Sequence, residues 1–329
     1  MRPAHARVAR RCPLRALGRT WVLTALWVVV TGCATNPVWE ELREAAPAPE
    51  LAAVPFFPQD AYQCGPAALA TVLAHGGIEV TPEQLAARIY VPTRRGSLQA
   101  ELLAAARSYD RVPYLLSGSP ESMVDEVRAG RPVLLLQNLG FERWPVWHYA
   151  VLVGFDPEAR TFLLRSGTEA RHEVGARGFL ASWERGGRWA MVVVPASEPP
   201  AAADALGWLQ AVAPFESTGH LDVAAEGYEA GVRRWPEEAL VWTALGNVRY
   251  LQQDFAGAEE AYGQAMALSS RNWTARNNLV RTFMAQGCPG LAGPWIGDAG
   301  SPPEGFASTW NRTLEELAAL HQGDCEVLQ

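Results

Sequence analysis

A cysteine at the start of a predicted helix is the strongest candidate nucleophile in this sequence. Cys64 opens a helix that we predict over residues 64–75, ended by the glycine pair at 76–77. Backbone N–H groups and the helix dipole favour the thiolate at such a position, so we expect the pKa of Cys64 to be low. Gln59, five residues upstream, can donate its side-chain amide to an oxyanion beside the backbone N–H of Cys64. A buried structural cysteine is the alternative interpretation of Cys64.

A histidine at the start of a predicted strand is the candidate general base. His148 begins an apolar run over 148–155, 84 residues after Cys64. A rigid strand can hold the imidazole with one edge toward a cleft, where it can take the proton of a thiol. A core histidine with satisfied hydrogen bonds is the alternative. His172 is a weaker candidate, because it lies in a polar stretch at 169–173.

A third residue that orients the imidazole should come from the strand that follows His148. If residues 156–160 form the connecting loop, paired positions in the hairpin sum to 316, which places Ser166 and Thr168 on the same face as His148. A hydroxyl accepts a hydrogen bond from histidine, but less strongly than a carboxylate does. Asp156 lies too far along the strand and is interpreted as a turn residue.

Three segments together resemble a known family. Gln59, the stretch 63–68 (QCGPAA) and the stretch 148–151 (HYAV) are similar to those of the bacteriocin-processing, papain-like cysteine peptidases, over about 54–195, which is under half of the chain. The resemblance implies a papain-like α+β fold that hydrolyses a peptide bond. The sequence shows no metal cluster, glycine-rich phosphate loop or dinucleotide fingerprint, so we predict no cofactor. It assigns the roles of nucleophile, base and oxyanion donor to Cys64, His148 and Gln59, respectively.

The chain departs from that family at the third catalytic position. The family usually has Asp after the return strand, where this chain has Ser166. The stretch 164–168 (LRSGT), with the aromatic residues that follow it, also resembles a narrower group of Gram-negative lipoproteins with helical repeats. No transporter segment follows, so the family's usual leader-peptide substrate is not implied.

The elements around these motifs predict an α+β domain over 54–197. Helical patterns come first and short apolar strands follow, which is typical of helices packed on a mostly antiparallel sheet. The predicted helices cover 64–75, 82 onward, 97–109 and 120–128, and the predicted strands cover 112–116, 132–137, 148–155, 161–165 and 189–194.

The first 32 residues have the pattern of a targeting segment. A basic stretch precedes a short apolar run that is too short to span a bilayer comfortably and that ends at 30–33 (VTGC). This box resembles that of bacterial lipoproteins, which implies cleavage after residue 32 and acylation of Cys33; an ordinary signal peptide or anchor is the alternative. Ala34 and Thr35 follow the cysteine, which by the sorting rule of that group implies the outer membrane, facing the periplasm. Residues 33–53 then form the acylated start and a tether.

The rest of the chain is helical and repetitive after a linker at 198–204. Aligned at 34 residues, it gives units at 205–238, 239–272 and 273 onward, which resemble tetratricopeptide repeats over 205–290. An unrelated amphipathic helix bundle is the alternative. Residues 291–329 are expected to cap the stack. In the oxidising periplasm we expect Cys288 and Cys325 to form a disulfide, with two free thiols as the alternative.

Composition narrows the function further. The formal charge of −7 argues against a nucleic-acid partner, and all 28 basic residues are Arg, which excludes Schiff-base lysine chemistry and a phosphate loop that needs Lys. We therefore predict a lipid-anchored peptidase whose repeats recruit a peptide, protein substrate or partner. A catalytically weak papain-like scaffold is the alternative, and transfer or amidase chemistry on cell-wall peptides is a third interpretation.

Overall fold

The chain folds into an α+β region followed by an all-α region, as predicted. The computed structural model describes residues 42, 46–59, 63–94, 96–297 and 300–320. The predicted acylation site at Cys33 and the predicted disulfide partner Cys325 lie outside these residues. Within the described part of the chain, no helix has the length and apolar character needed to cross a membrane.

Three helices come first and pack on one face of the sheet. They are α1 (Cys64–His75), α2 (Pro82–Ile89) and α3 (Gln99–Arg107). Helix α2 begins with the capping box that the sequence indicates, because Thr81 and Gln84 each bond the other's backbone N–H. Their apolar residues share one core cluster with Tyr149, Val151 and Val153 of the sheet.

The sheet has six antiparallel strands in the described residues. They are β1 (Val112–Leu115), β2 (Val133–Asn138), β3 (Trp147–Asp156), β4 (Thr161–Ser166), β5 (Glu169–Gly175) and β6 (Ala190–Val194), in the order β1-β6-β2-β3-β4-β5. Strand β5 was not predicted from the sequence. This edge strand is polar and mostly exposed, so it lacks the apolar alternation that marks a strand.

The second face of the sheet carries α4 (Pro120–Arg128) and α5 (Ala176–Arg185). Their core cluster contains Ala150 and Leu152 of β3, and it extends without a break to Trp208 and Phe215 in the all-α region. The predicted linker is held against this face, because the backbone N–H of Ala202 donates to the fully buried Glu126 over 2.7 Å. The two regions therefore share a core.

A β-bulge in β3 sets the register of the β3–β4 hairpin. Near the His148 end, Val151 pairs with Arg165 and Leu152 with Leu164, which confirms the predicted sum of 316. At Val153 the register shifts by one, so that Asp156 pairs with Thr161. Without this extra residue every side chain of β4 would face the opposite side relative to His148.

The all-α region consists of helices that begin at a regular spacing. It contains α6 (Ala205–Ser217), α7 (Leu221–Arg234), α8 (Ala239–Leu251), α9 (Phe255–Leu268), α10 (Trp273–Ala285), α11 (Gly293–Gly297) and α12 (Glu304–Ala319). The starts of α6, α8 and α10 are 34 residues apart, and so are those of α7 and α9. Helix α12 packs on α10 through an edge-to-face contact of Trp310 with Trp273, at 5.4 Å between ring centroids.

Candidate active site

Cys64 is the first residue of α1 and is half-buried against β3. The helix packs on the strand, and the backbone N–H of Tyr149 points at the sulfur of Cys64. Gly65, the next residue, lies close to Ser97, because a Cβ at position 65 would be only 2.8 Å from Cβ of Ser97. The glycine after the nucleophile candidate is thus required for packing of α1 against the segment that carries Ser97.

The expectation of a low pKa for Cys64 is wrong for this structure. Burial raises the pKa of the Cys64 thiol, and the backbone N–H groups of Tyr149, Gly65 and Cys64 itself only partly oppose it. No hydrogen bond joins Cys64 and His148 in the described part of the chain. The desolvation of the sulfur exceeds the effect of the helix start, so the resting form is a thiol.

His148 lies next to Tyr149 in β3 and is held by Ser166. The ring Nε2 and Ser166 Oγ are 2.8 Å apart, so the predicted proximity of these two residues is confirmed. When Nε2 donates to this hydroxyl, Nδ1 is left unprotonated and can accept a proton from a thiol. Thr168 does not face His148 as expected, because it lies in the two-residue turn between β4 and β5.

Burial and a neighbouring histidine lower the pKa of His148. The larger cause is desolvation of the charged ring, and the positive charge of His172 acts in the same direction. His148 therefore stays neutral to a lower pH than an unperturbed histidine does. In the sequence, His172 belongs to a polar stretch and was therefore a weaker candidate. The pairing of β5 with β4 brings it to this site.

Gln59 is anchored beside the same hairpin turn. Its backbone N–H donates to the carbonyl of Gly167 over 2.9 Å. Gly167 is the residue after Ser166, so this hydrogen bond holds the backbone of Gln59 near Ser166. Gly167 has φ of +59°, a conformation that favours glycine in this tight turn. The structure therefore brings Gln59, Ser166 and His148 to one end of the sheet.

A buried arginine that sequence reasoning missed holds the segment before Gln59. Arg165 donates to the carbonyls of Leu51, Val54 and Ala170 and forms a 3.0 Å ion pair with Glu50. The signal was available, since an arginine inside an apolar strand needs buried partners. It ties residues 50–54 to the strand that carries Ser166.

A cavity of about 270 Å³ opens beside the His148–Ser166 pair, on the face of the sheet that carries α5. His172 lines it, with its Nδ1 3.0 Å from Glu169 Oε2. Arg185, the last residue of α5, lines it as well. The site thus includes polar groups beyond the predicted residues.

Comparison with known proteins supports a peptidase-type domain in the N-terminal half. Residues 51–191 match the family model described as the Peptidase_C39 like family. None of the curated proteins matches the chain. The match covers the sheet region with Cys64, His148 and Ser166 but not the all-α region.

Solved structures with a similar arrangement include two peptidases of the C39 type. A protein described as a C39-like peptidase from Bacillus anthracis is 19% identical, with a TM-score of 0.40, over 47% of this chain and 99% of that one. The peptidase domain of ComA from Streptococcus, a bifunctional ABC transporter involved in a quorum-sensing pathway, is 19% identical, with a TM-score of 0.36, over 43% of this chain and 98% of that one. The family match alone makes residues 51–191 similar to the Peptidase_C39 like family.

Proposed function

We propose that the N-terminal domain is a cysteine peptidase in which Cys64 is the nucleophile and His148 the base. The observation that carries the proposal is the placement of Cys64, at the start of α1 and against the backbone N–H of Tyr149, one residue from His148. The family match over residues 51–191 supports the same reaction class.

The proposed reaction needs no preformed ion pair. His148 takes the proton from Cys64 Sγ as the sulfur attacks the peptide carbonyl carbon, so that an S–C bond forms and the oxygen becomes an oxyanion. The side-chain amide of Gln59 and the backbone N–H of Cys64 donate to that oxyanion. The C–N bond then breaks and His148 returns the proton to the leaving amine. Water, activated by His148, hydrolyses the thioester and restores the thiol.

Covalent labelling of the full chain tests this proposal directly. A peptide-based electrophile that reacts with catalytic cysteines should label the wild type and the Cys288→Ser variant equally, and should not label Cys64→Ala. Equal labelling of wild type and Cys64→Ala would contradict the assignment. Hydrolysis of a mixed peptide library by wild type, with Cys64→Ala as the control, then gives the cleaved bond.

A catalytically weak scaffold is the second candidate, and two observations favour it. Burial raises the pKa of Cys64, and the partner of His148 is a neutral hydroxyl. A scaffold would bind peptides at this site without forming a covalent adduct. Absence of labelling in a folded wild-type protein would therefore select this candidate over the peptidase.

The remaining parts of the proposal concern location and recruitment. We infer from the box at 30–33 that a lipid on Cys33 anchors the protein to the outer membrane, facing the periplasm. The 34-residue spacing of the helices supports tetratricopeptide-like repeats that recruit the substrate or a protein partner. A 240 Å³ cavity between these helices, lined by Asn247, Tyr262 and Asn278 among others, offers polar groups for that contact.

A further inference from the structure

The cavity beside His148 has an unusual electrostatic character for an acidic protein. The ionisable side chains that line it are His148, His172 and Arg185, and no described lining residue is Asp or Glu. The chain as a whole has a formal charge of −7. Glu169 bonds Nδ1 of His172 but does not line the cavity. Among the lining residues, Arg185 therefore brings a formal positive charge and no residue brings a negative one.

Arg185 has hydrogen-bonding capacity that the protein leaves unused. One terminal nitrogen donates to the carbonyl of Asn138 over 3.0 Å, while Nε is buried and makes no hydrogen bond. Within the described residues, no carboxylate forms an ion pair with this guanidinium. The guanidinium therefore retains N–H donors that the described residues leave unused and that a bound acceptor in the cavity could take up.

Ser166 supplies a second unused donor. Its oxygen can accept from His148 Nε2 over 2.8 Å, which leaves the hydroxyl proton to donate elsewhere. The other polar lining groups satisfy each other, because Gln137 Nε2 donates to Ser182 Oγ over 2.7 Å and Ser182 donates to the Phe179 carbonyl. Ser166 and Arg185 thus each retain a donor that the described residues leave unused.

We propose that this cavity binds a carboxylate group, held by Arg185 and by the hydroxyl of Ser166. The apolar lining by Leu139, Leu164 and Val174 fits a short aliphatic chain attached to the carboxylate. A bound carboxylate would accept a hydrogen bond from Ser166 while Ser166 accepts one from His148. Its negative charge would then stabilise the protonated form of His148, in place of an acidic side chain at the position of Ser166. The binding stands by itself, and the support of His148 rests on the proposed peptidase function.

Titration of the full chain with propionate tests the binding. We expect saturable binding to wild type by calorimetry, much weaker binding of the neutral analogue propionamide, and about tenfold weaker propionate binding by Arg185→Gln, the effect of losing one charge-assisted interaction. Arg177→Gln, an exposed arginine of the same helix that does not line the cavity, should bind as wild type does. Equal binding of propionate and propionamide, or unchanged binding by a folded Arg185→Gln, would overturn the proposal.

A second variant keeps the test valid if Arg185→Gln does not fold. Ser166→Asp places a carboxylate in the cavity itself and should abolish propionate binding without any change at Arg185. Propionate binding by Ser166→Asp at wild-type strength would overturn the proposal. Cys64→Ala should bind propionate as wild type does, so that a failure of the peptidase function leaves this measurement unaffected.

Peptide hydrolysis at constant ionic strength distinguishes two sources of the carboxylate. If the ligand is a free small carboxylate, propionate should raise kcat in wild type and have no effect on Ser166→Asp. If the substrate carries the carboxylate, propionate should compete and raise KM, and peptides with Glu or a free C-terminus should be preferred over their amides. An active enzyme that is indifferent to propionate and to the carboxylate of the peptide would overturn the proposed support of His148, whereas the binding itself is decided by the calorimetry.

Discussion

At the scale of single residues, the site contains a buried thiol beside a buried, neutral imidazole. The pKa of Cys64 is raised by burial and that of His148 is lowered by burial and by His172. Both changes favour the uncharged pair over the thiolate–imidazolium pair. Proton transfer must therefore accompany the attack on the substrate.

We expect the pH dependence of peptide hydrolysis to follow the protonation of His148. The base must be neutral, and the pKa of His148 is lowered. We therefore expect kcat/KM to persist as the pH falls through about 6.5, the ordinary pKa of histidine, and to be lost only as the pH falls through the lowered pKa. His148→Ala should abolish hydrolysis at every pH. The measurement is kcat/KM against pH for both proteins.

Alkylation of Cys64 by iodoacetamide provides the companion measurement. Its rate should rise only above about 8.5, the ordinary value of a cysteine. A plateau well below this pH that disappears in His148→Ala would show a resting ion pair, and our interpretation of burial would then be wrong.

Ser166 should contribute much less to catalysis than His148. The hydroxyl offers a neutral hydrogen bond of about 1 kcal/mol, so Ser166→Ala should lower kcat/KM by about fivefold. Ser166→Asp should raise kcat/KM and move its acidic limb to higher pH, because a carboxylate stabilises the imidazolium and raises the pKa of His148. A Ser166→Asp enzyme with the wild-type pH profile would argue against contact between the two side chains in solution.

At the scale of elements, two irregular features position the site. The bulge at Val153 turns Ser166 to the face of His148, and Arg165 ties residues 50–54 to β4. Hydrogen bonding from Arg171 and Arg165 lowers the pKa of Glu50, the carboxylate partner of this clamp. The strand that carries Ser166 is thereby linked to the segment that leads to Gln59.

We expect Glu50→Gln to destabilise the protein near neutral pH by about 1–3 kcal/mol, because it leaves the buried Arg165 without its carboxylate. Since the pKa of Glu50 is lowered by folding, its contribution is present above the unfolded value of about 4.3 and lost as the pH falls through the folded value. Urea unfolding at pH 7 and at low pH should show the difference from wild type shrinking in acid. Glu173→Gln is the matched control, because among the described residues Glu173 forms its ion pair with the exposed Arg171.

At the scale of the whole molecule, the all-α region is attached firmly to the sheet region. One core cluster runs from β3 to Trp208, and the linker bonds Glu126. His220, in the turn between α6 and α7, also lies 3.1 Å from Asp110 of the sheet region. The proposed recruiting surface is therefore held in a defined place relative to the site.

We expect Cys288 and Cys325 to form a disulfide in periplasmic protein. Cys288 is buried just after α10, the last helix of the regular series. A disulfide to Cys325 would raise the free energy of unfolding by up to about 4 kcal/mol, because it restricts the unfolded chain. Non-reducing peptide mapping should recover the linked peptides, and Cys325→Ser should lower the unfolding midpoint as reduction does. Recovery of both thiols unmodified from oxidised periplasm would contradict this prediction.

We also expect the mature protein to begin at an acylated Cys33. Two or more acyl chains bind a bilayer stably, whereas a formal net charge of −7 gives the chain no net attraction to anionic lipids. Intact mass of the membrane fraction should show the added chains, and Cys33→Ser should remain unprocessed or be released. An unmodified wild-type mature form would rule out the lipid anchor.

The local features of this protein follow from its amino-acid sequence. The start of α1 at Cys64, the capping box at Thr81 and the hairpin register near His148 were all predictable, because capping, propensity and strand alternation act between neighbouring residues. The 34-residue spacing of the helices was visible as a repeat of residue types in the sequence.

The charge state and the surroundings of the site depend on the tertiary structure. Burial of the Cys64 sulfur, the arrival of His172 through a polar edge strand, and the unused donor of Arg185 depend on packing between distant segments. Desolvation and long-range pairing leave no mark on local pattern, so they could not be predicted from it.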